Sequence, residues 1–246
     1  MRSHAALVVL ALLCPALTIA QQSMPQQILE RAIAAHGGVD RLSRSRCEQL
    51  RFRGNLHVGG KPIAFSNDVV VQLPGRYRSS IRLQQGDRDH TIVHSLDGDK
   101  ATILADGQPL PLSPVHHMQL QQTLQLEQAM RLVPLLNDPA VTLQALPIRR
   151  YNDHVFVGLR VSRRGQRDLA LYFDQTTGLL VKTEQRLDGP NGKEIVQEAY
   201  YANHRDFDGQ RRAGQIVVFR DGQKVMEAEL IQVRPLNSIE QVDYRP

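Results

Sequence analysis

The chain has 246 residues, with 30 Lys and Arg against 25 Asp and Glu, two cysteines, no tryptophan and 5% aromatic residues. A net charge of +5, scattered and without aromatic nucleic-acid-reading motifs, makes nucleic acid a poor partner and allows weak attraction to anionic lipid. With so few aromatics the core must be aliphatic, and two cysteines build no disulfide framework.

The first twenty residues run Met1-Arg2-Ser3-His4 and then AALVVLALLCPALTIA. A basic start, an apolar middle and small residues at Thr18 and Ala20 read as a secretory signal peptide cleaved near Ala20. Pro15 and the missing stop-transfer flank argue against a membrane span, which needs about 20 apolar residues; an uncleaved anchor is the alternative. The residues before Cys14 do not resemble a bacterial lipobox. Cleavage takes Lys+Arg from 30 to 29 against 25 acids, leaving +4, and leaves Cys47 as the lone thiol. Cys47 reads as a small apolar residue near the first strand, with an intermolecular disulfide as the alternative. Residues 21–246 are expected to form a single soluble domain, a periplasmic monomer.

PQQILERAIAAHGGVDRLS is helical: Ile28, Leu29, Ala32, Ile33 and His36 share a face, and Gly37-Gly38 ends it. From Glu48 the period becomes two. In LRFRGNLHV the residues Leu50, Phe52, Gly54 and Leu56 alternate with Arg51, Arg53, Asn55 and His57, a strand with one dry face. KPIAFSNDVVVQLP, RYRSSIRLQ, RDHTIVHSL and KATILA follow as strands. Glycine pairs and Asp-Gly steps mark the hairpins between them. VHHMQLQQTLQLEQAMRLVPLLNDP is then helical, with Val115, Met118, Leu126, Ala129, Met130 and Val133 on one face and Leu120 and Leu124 almost opposite. A helix apolar on two sides touches something on both, or faces a cavity. Seven further strands end the chain, from AVTLQALPI to KVMEAELIQV. The expected fold is mainly β, a large curved antiparallel sheet of about a dozen strands with covering helices.

Motifs for chemistry are missing: no GxSxG elbow, HExxH, Walker loop or GxGxxG. His116-His117 sit about 100° apart on a helix and do not share a metal easily. Asp87, Asp89 and His90 read as turn residues beside Gly86, and His94, Ser95 and Asp97 alternate faces and do not make a triad. The acid-rich stretch NHRDFDGQRRAGQIVVFRDGQKVMEAEL holds His204, Asp206 and Asp208, which could do acid–base or metal chemistry. The stronger reading is structural. Asp208 precedes Gly209 and Asp221 precedes Gly222, as tight turns require, while Glu227 and Glu229 are the wet face of a strand. No catalytic residue, metal or cofactor is expected.

The order of these pieces resembles the bacterial LolA/LolB-like superfamily of periplasmic lipoprotein carriers. VVVQLPGRYRSSI carries Pro74 and Tyr77 between strands as that family does. TIVHSLDGDKATIL resembles its hinge, with Leu96 inserted between Ser95 and Asp97. LALYFDQTTGLLVKTEQRLDG is similar to its strand, Asp-x-x-Thr-Gly turn and strand. The segment from Tyr200 to Leu230 looks like that of uncharacterised secreted relatives, with Ala213-Gly214 where proline is common and Tyr244 near the closing proline. The resemblance implies an unclosed half-barrel, LolA-like, whose concave apolar face is covered by helices and binds an acyl chain or lipidated protein without catalysis. Candidates for its wall are Phe52, Leu56, Val69, Val71, Ile81, Leu83, Ile92, Leu171 and Phe173. Met118, Leu120, Leu124 and Met130 are candidates for a lid. Arg51 or Arg53 stands nearest the place of the family's locking arginine. The alternative is a lipid-responsive envelope sensor or assembly factor acting through an inner- or outer-membrane protein.

Overall fold

The computed structural model describes residues 24–86, 88–151, 154–189 and 192–241; the expected leader, Asp87 and Tyr244 lie outside them. Helices α1 (Met24–Ala35) and α2 (Val39–Arg44) lead into β1 (Cys47–Val58), β2 (Lys61–Gln72), β3 (Arg76–Gln85), β4 (Arg88–Asp97), β5 (Lys100–Ala105) and β6 (Gln108–Pro109). Helices α3 (Pro114–Met130) and α4 (Pro134–Asn137) come next. The chain then forms β7 (Val141–Tyr151), β8 (His154–Arg163), β9 (Leu169–Asp174), β10 (Leu180–Asp188), β11 (Glu194–Phe207), β12 (Gln210–Arg220) and β13 (Gln223–Pro235).

The alternation read from the sequence becomes one antiparallel sheet of thirteen strands, ordered β6-β5-β4-β3-β2-β1-β13-β12-β11-β10-β9-β8-β7. Its edges, β6 and β7, do not pair with each other, so the sheet stays unclosed. The Asp-Gly hairpins carry the meander. Asp208 and Gly209 have φ of +54° and +77°, Asp221 and Gly222 +47° and +77°, the doubly positive pair whose twist suits adjoining strands.

This strand order dictates where α3 goes. The first meander walks outward from β1 to one edge, and the second begins at the opposite edge and walks back to lie beside β1. The crossover must traverse the sheet, and seventeen helical residues, about 26 Å, do so. Ser113 starts α3 by accepting the His116 N–H at 3.2 Å, with Pro114 in the first turn. Leu132, at φ +61°, separates α3 from α4, so the continuous helix expected over 115–139 is split.

Two cores result. Leu29, Ala32 and Ile33 of α1 pack on Leu159, Leu171, Phe173 and Leu180 of β8–β10. Leu120 and Leu124 of α3 pack on Leu50, Val69, Val71, Tyr77 and Leu96. The pair almost opposite the main apolar face is thus what anchors α3, while Met118 is 38% exposed. With apolar residues on two sides of the helix, the crossover direction, not periodicity, decides which side is buried.

β1 and β13 join the two meanders, with register from Glu48↔Pro235 to Leu56↔Met226 and a bulge at Arg51/Phe52. Past that bulge the backbones approach so closely that a Cβ on Gly54 would lie 1.9 Å from the Glu227 carbonyl oxygen. Gly54→Ala is therefore expected to cost about 1–3 kcal/mol in urea unfolding. An unchanged midpoint would mean that the seam spreads to accommodate the added methyl group.

Candidate ligand-binding cavity

Between α3 and the concave face lies a cavity of about 520 Å³, within the range of roughly 300–1,000 Å³ typical of small-molecule sites. Strand alternation supplies its aliphatic wall: Leu50, Phe52 and Leu56 from β1, Ile216 and Val218 from β12, and Met226, Ala228 and Leu230 from β13. Leu120, Leu126 and Met130 of α3 form the roof.

The sequence candidates divide. Phe52, Leu56, Val69, Ile81, Leu120 and Met130 meet around the cavity. Val71 and Leu124 are packed into the core under α3, and Leu171 and Phe173 into the core under α1, at 0% and 1% exposure. Leu83 and Ile92 are half-buried in the outer parts of β3 and β4, away from the lining. Arg51 and Arg53 point to the opposite face of the sheet, where they pair with Asp68 at 2.9 Å and Glu229 at 3.0 Å. From there neither reaches α3, because Leu50 and Phe52 on either side of Arg51 face the cavity and successive strand residues alternate.

The arginines that do meet the helix are others. Arg131, the residue after α3, donates from Nη1 to Glu127 Oε2 at 3.0 Å and from Nη2 to Glu48 Oε1. Arg212 of β12 donates to Glu48 Oε2 at 2.8 Å. Glu48, at the start of β1, is 1% exposed, so a buried ion network closes this end of the cavity. Beside it, His36 donates from Nδ1 to the Ala32 carbonyl at 2.8 Å and accepts the Leu180 N–H on Nε2 at 3.3 Å. These contacts fix a neutral imidazole. Burial, opposed by the Ala32 contact and reinforced by His204, Arg212 and Arg211, lowers its pKa to about 4.

At the other end of β12 the concave face carries Gln185, Gln197 and Arg220. The stretch that held the acidic residues proves to be a clamp. Asp206 Oδ1 accepts the Gly209 N–H at 2.8 Å, a turn role that the sequence reading gave to Asp208. The hairpin tip meets the α1–α2 junction through Arg41 Nη1 to the Gly209 carbonyl at 3.1 Å and the Arg211 N–H to the His36 carbonyl at 3.1 Å. Asp221 Oδ1 accepts the Val196 N–H at 3.0 Å and ties the last hairpin to β11. His204 lines the cavity with its ring 6.4 Å from that of His36. Among the described residues no three His, Cys, Asp or Glu side chains are grouped to hold a metal ion. Cys47 is buried and free.

Glu48, Arg131, Arg212, Gln185 and Arg220 were not among the sequence candidates. Two carry a local signal: Arg220 continues the apolar alternation Ile216, Val218, and Arg131 interrupts an apolar run between Met130 and Leu132.

No protein-family model matches the chain, nor does any curated protein. Solved structures do. A LolA superfamily protein from Nitrosomonas europaea superposes with a TM-score of 0.56 at 14% identity, covering 89% of this chain and 97% of that one. A domain assigned to outer membrane lipoprotein sorting, from Vibrio parahaemolyticus, gives 0.51 at 9% identity over 88% and 94%. A DUF1329 family protein from Desulfovibrio piger gives 0.56 at 10% identity over 89% and 95%. Together with the unclosed thirteen-stranded sheet and its crossing helix, these likenesses establish that the chain has the LolA-like fold.

Proposed function

We propose that the protein is a non-enzymatic, periplasmic binder or carrier of an acyl amphiphile. The observation that carries this reading is the aliphatic cavity between α3 and the concave face. A sheet face of leucine, isoleucine and valine roofed by a crossing helix is a container for hydrocarbon. Each methylene transferred from water into it contributes about 0.8 kcal/mol, so a single chain gives substantial affinity without any reaction. The fold shared with a lipoprotein-sorting domain supports the same reading. The apolar leader supports export, and one sheet with no linker supports a single domain.

Titration with a fluorescent fatty acid, with mass spectrometry of lipid extracted from the natively purified protein, is expected to show saturable binding. Ile216→Asp, which places a carboxylate in the trough, is expected to weaken binding at least tenfold, since the chain would desolvate the charge. Val217→Asp, one residue on and on the opposite face, is expected to leave it unchanged. Equal effects of the two variants would sink the assignment of the concave face.

A further inference from the structure

At the end of the concave face opposite the Glu48 network, a polar row crosses three neighbouring strands. Gln185 of β10 pairs with Gln197 of β11, and Gln197 with Arg220 of β12, so three polar side chains line up across the sheet, all lining the cavity. Arg220 donates from Nε to Gln197 Oε1 at 2.9 Å and, among the described residues, has no carboxylate within ion-pair distance. The nearby acids are engaged elsewhere. Asp221 holds Lys193, and Glu194 holds Arg167 and Arg186. Gln185 is 6% exposed, and its Oε1 is buried with no donor.

An arginine without a counter-charge and a buried acceptor without a donor, both facing an apolar trough, form an incomplete set of hydrogen bonds. Guanidinium donors match phosphate or carboxylate oxygens, and a hydroxyl supplies the donor Gln185 lacks. Two strand spacings separate Gln185 from Arg220, about 10 Å. A carboxylate alone reaches one of them, whereas a phosphoglycerol group reaches both. We infer that this row receives the phosphoglycerol head of a single-chain amphiphile, with phosphate at Arg220, a hydroxyl at Gln185 and the chain running along β12 past Val218 and Ile216. The inference rests on the acyl-binding function proposed above and adds the head group and its orientation. The opposite end does not take the anion, because Arg131 and Arg212 already hold Glu48 and Glu127 there. From Arg220 to Arg212 the trough follows β12 for about 27 Å.

Three probes test it by calorimetry: palmitoyl-lysophosphatidylglycerol, the neutral monopalmitoylglycerol of the same chain length, and glycerol phosphate without a chain. The anionic amphiphile is expected to bind about ten- to a hundredfold more tightly than the neutral one, the range a charge-assisted hydrogen bond supplies. Arg220→Gln is expected to erase that difference by weakening the anionic amphiphile selectively, and Arg220→Lys to restore part of it. Arg220 is exposed at a strand end, and matching thermal unfolding confirms that the variants fold. Equal wild-type affinities, or a variant that weakens both amphiphiles alike, overturn the head-group site and leave the acyl-binding function standing. Glycerol phosphate binding as tightly as the anionic amphiphile makes the row a small-anion site and also overturns it. If neither amphiphile saturates, the acyl-binding function fails and this inference with it.

Discussion

Glu48→Ala is expected to destabilise the protein by about 3–5 kcal/mol, out of a total stability of roughly 5–15 kcal/mol for a folded domain. Glu48 accepts from both Arg131 and Arg212, and the Arg131 side chain is 5% exposed. Removing the carboxylate leaves one guanidinium with Glu127 alone and the other with Gln210, so most of the cost is desolvated positive charge, not a lost bond. The loss should be local in its first effects, because this network holds the end of α3 to the start of β1. Hydrogen exchange in residues 114–131 is expected to speed up before global unfolding is affected. Urea unfolding gives the magnitude. The combined variant Glu48→Leu/Arg131→Met/Arg212→Met should recover much of the loss, since apolar residues replacing a whole buried ion network carry little penalty and the remaining Glu127 side chain is 19% exposed. A loss below about 1 kcal/mol, the level of a solvent-exposed pair, would show that water reaches the network.

How much of this was legible beforehand follows from the range of the forces involved. Strand positions and Asp-Gly hairpins are local, a matter of alternation and positive φ, and they could be read directly. So could the dry face of β1, whose Phe52 and Leu56 line the cavity. Partnership over long separations could not. Glu48 and Arg131 are 83 residues apart and look like surface charges, because each flanks an element whose burial depends on where the crossover lands. The same dependence hid the roles of Leu120 and Leu124. Val71, Leu171 and Phe173 show the converse difficulty: alternation identifies a buried face but does not separate packed core from cavity wall, which depends on whether a helix lies directly above. The polar row is an intermediate case. Arg220 takes the next place in the alternation of Ile216 and Val218, but Gln185 and Gln197 gain meaning only from strand register.

Acidification should expose the burial of His36. Its pKa is about 4 in the folded protein against 6.5 when solvated. Between those values the unfolded chain binds a proton that the native state refuses, so stability rises with pH in this window. The contribution is complete above about pH 6.5, is lost as pH falls towards 4, and changes no further below that. The difference between the two values corresponds to about 3 kcal/mol. A charged imidazole would lose its acceptor role toward the Leu180 N–H and would face Arg211 and Arg212 of β12 and His204 of β11. His204 is held below its usual range chiefly by burial and contributes in the same direction, so the wild-type profile alone does not isolate His36. His36→Gln does, because glutamine keeps a donor and an acceptor without titrating in this range. Urea unfolding of both proteins at pH 7, 5.5 and 4 is expected to show the wild type losing about 3 kcal/mol more than the variant across that interval. Parallel profiles would mean that His36 takes up its proton in the folded protein, and that the junction of α1 with β10 opens to solvent before the rest of the sheet.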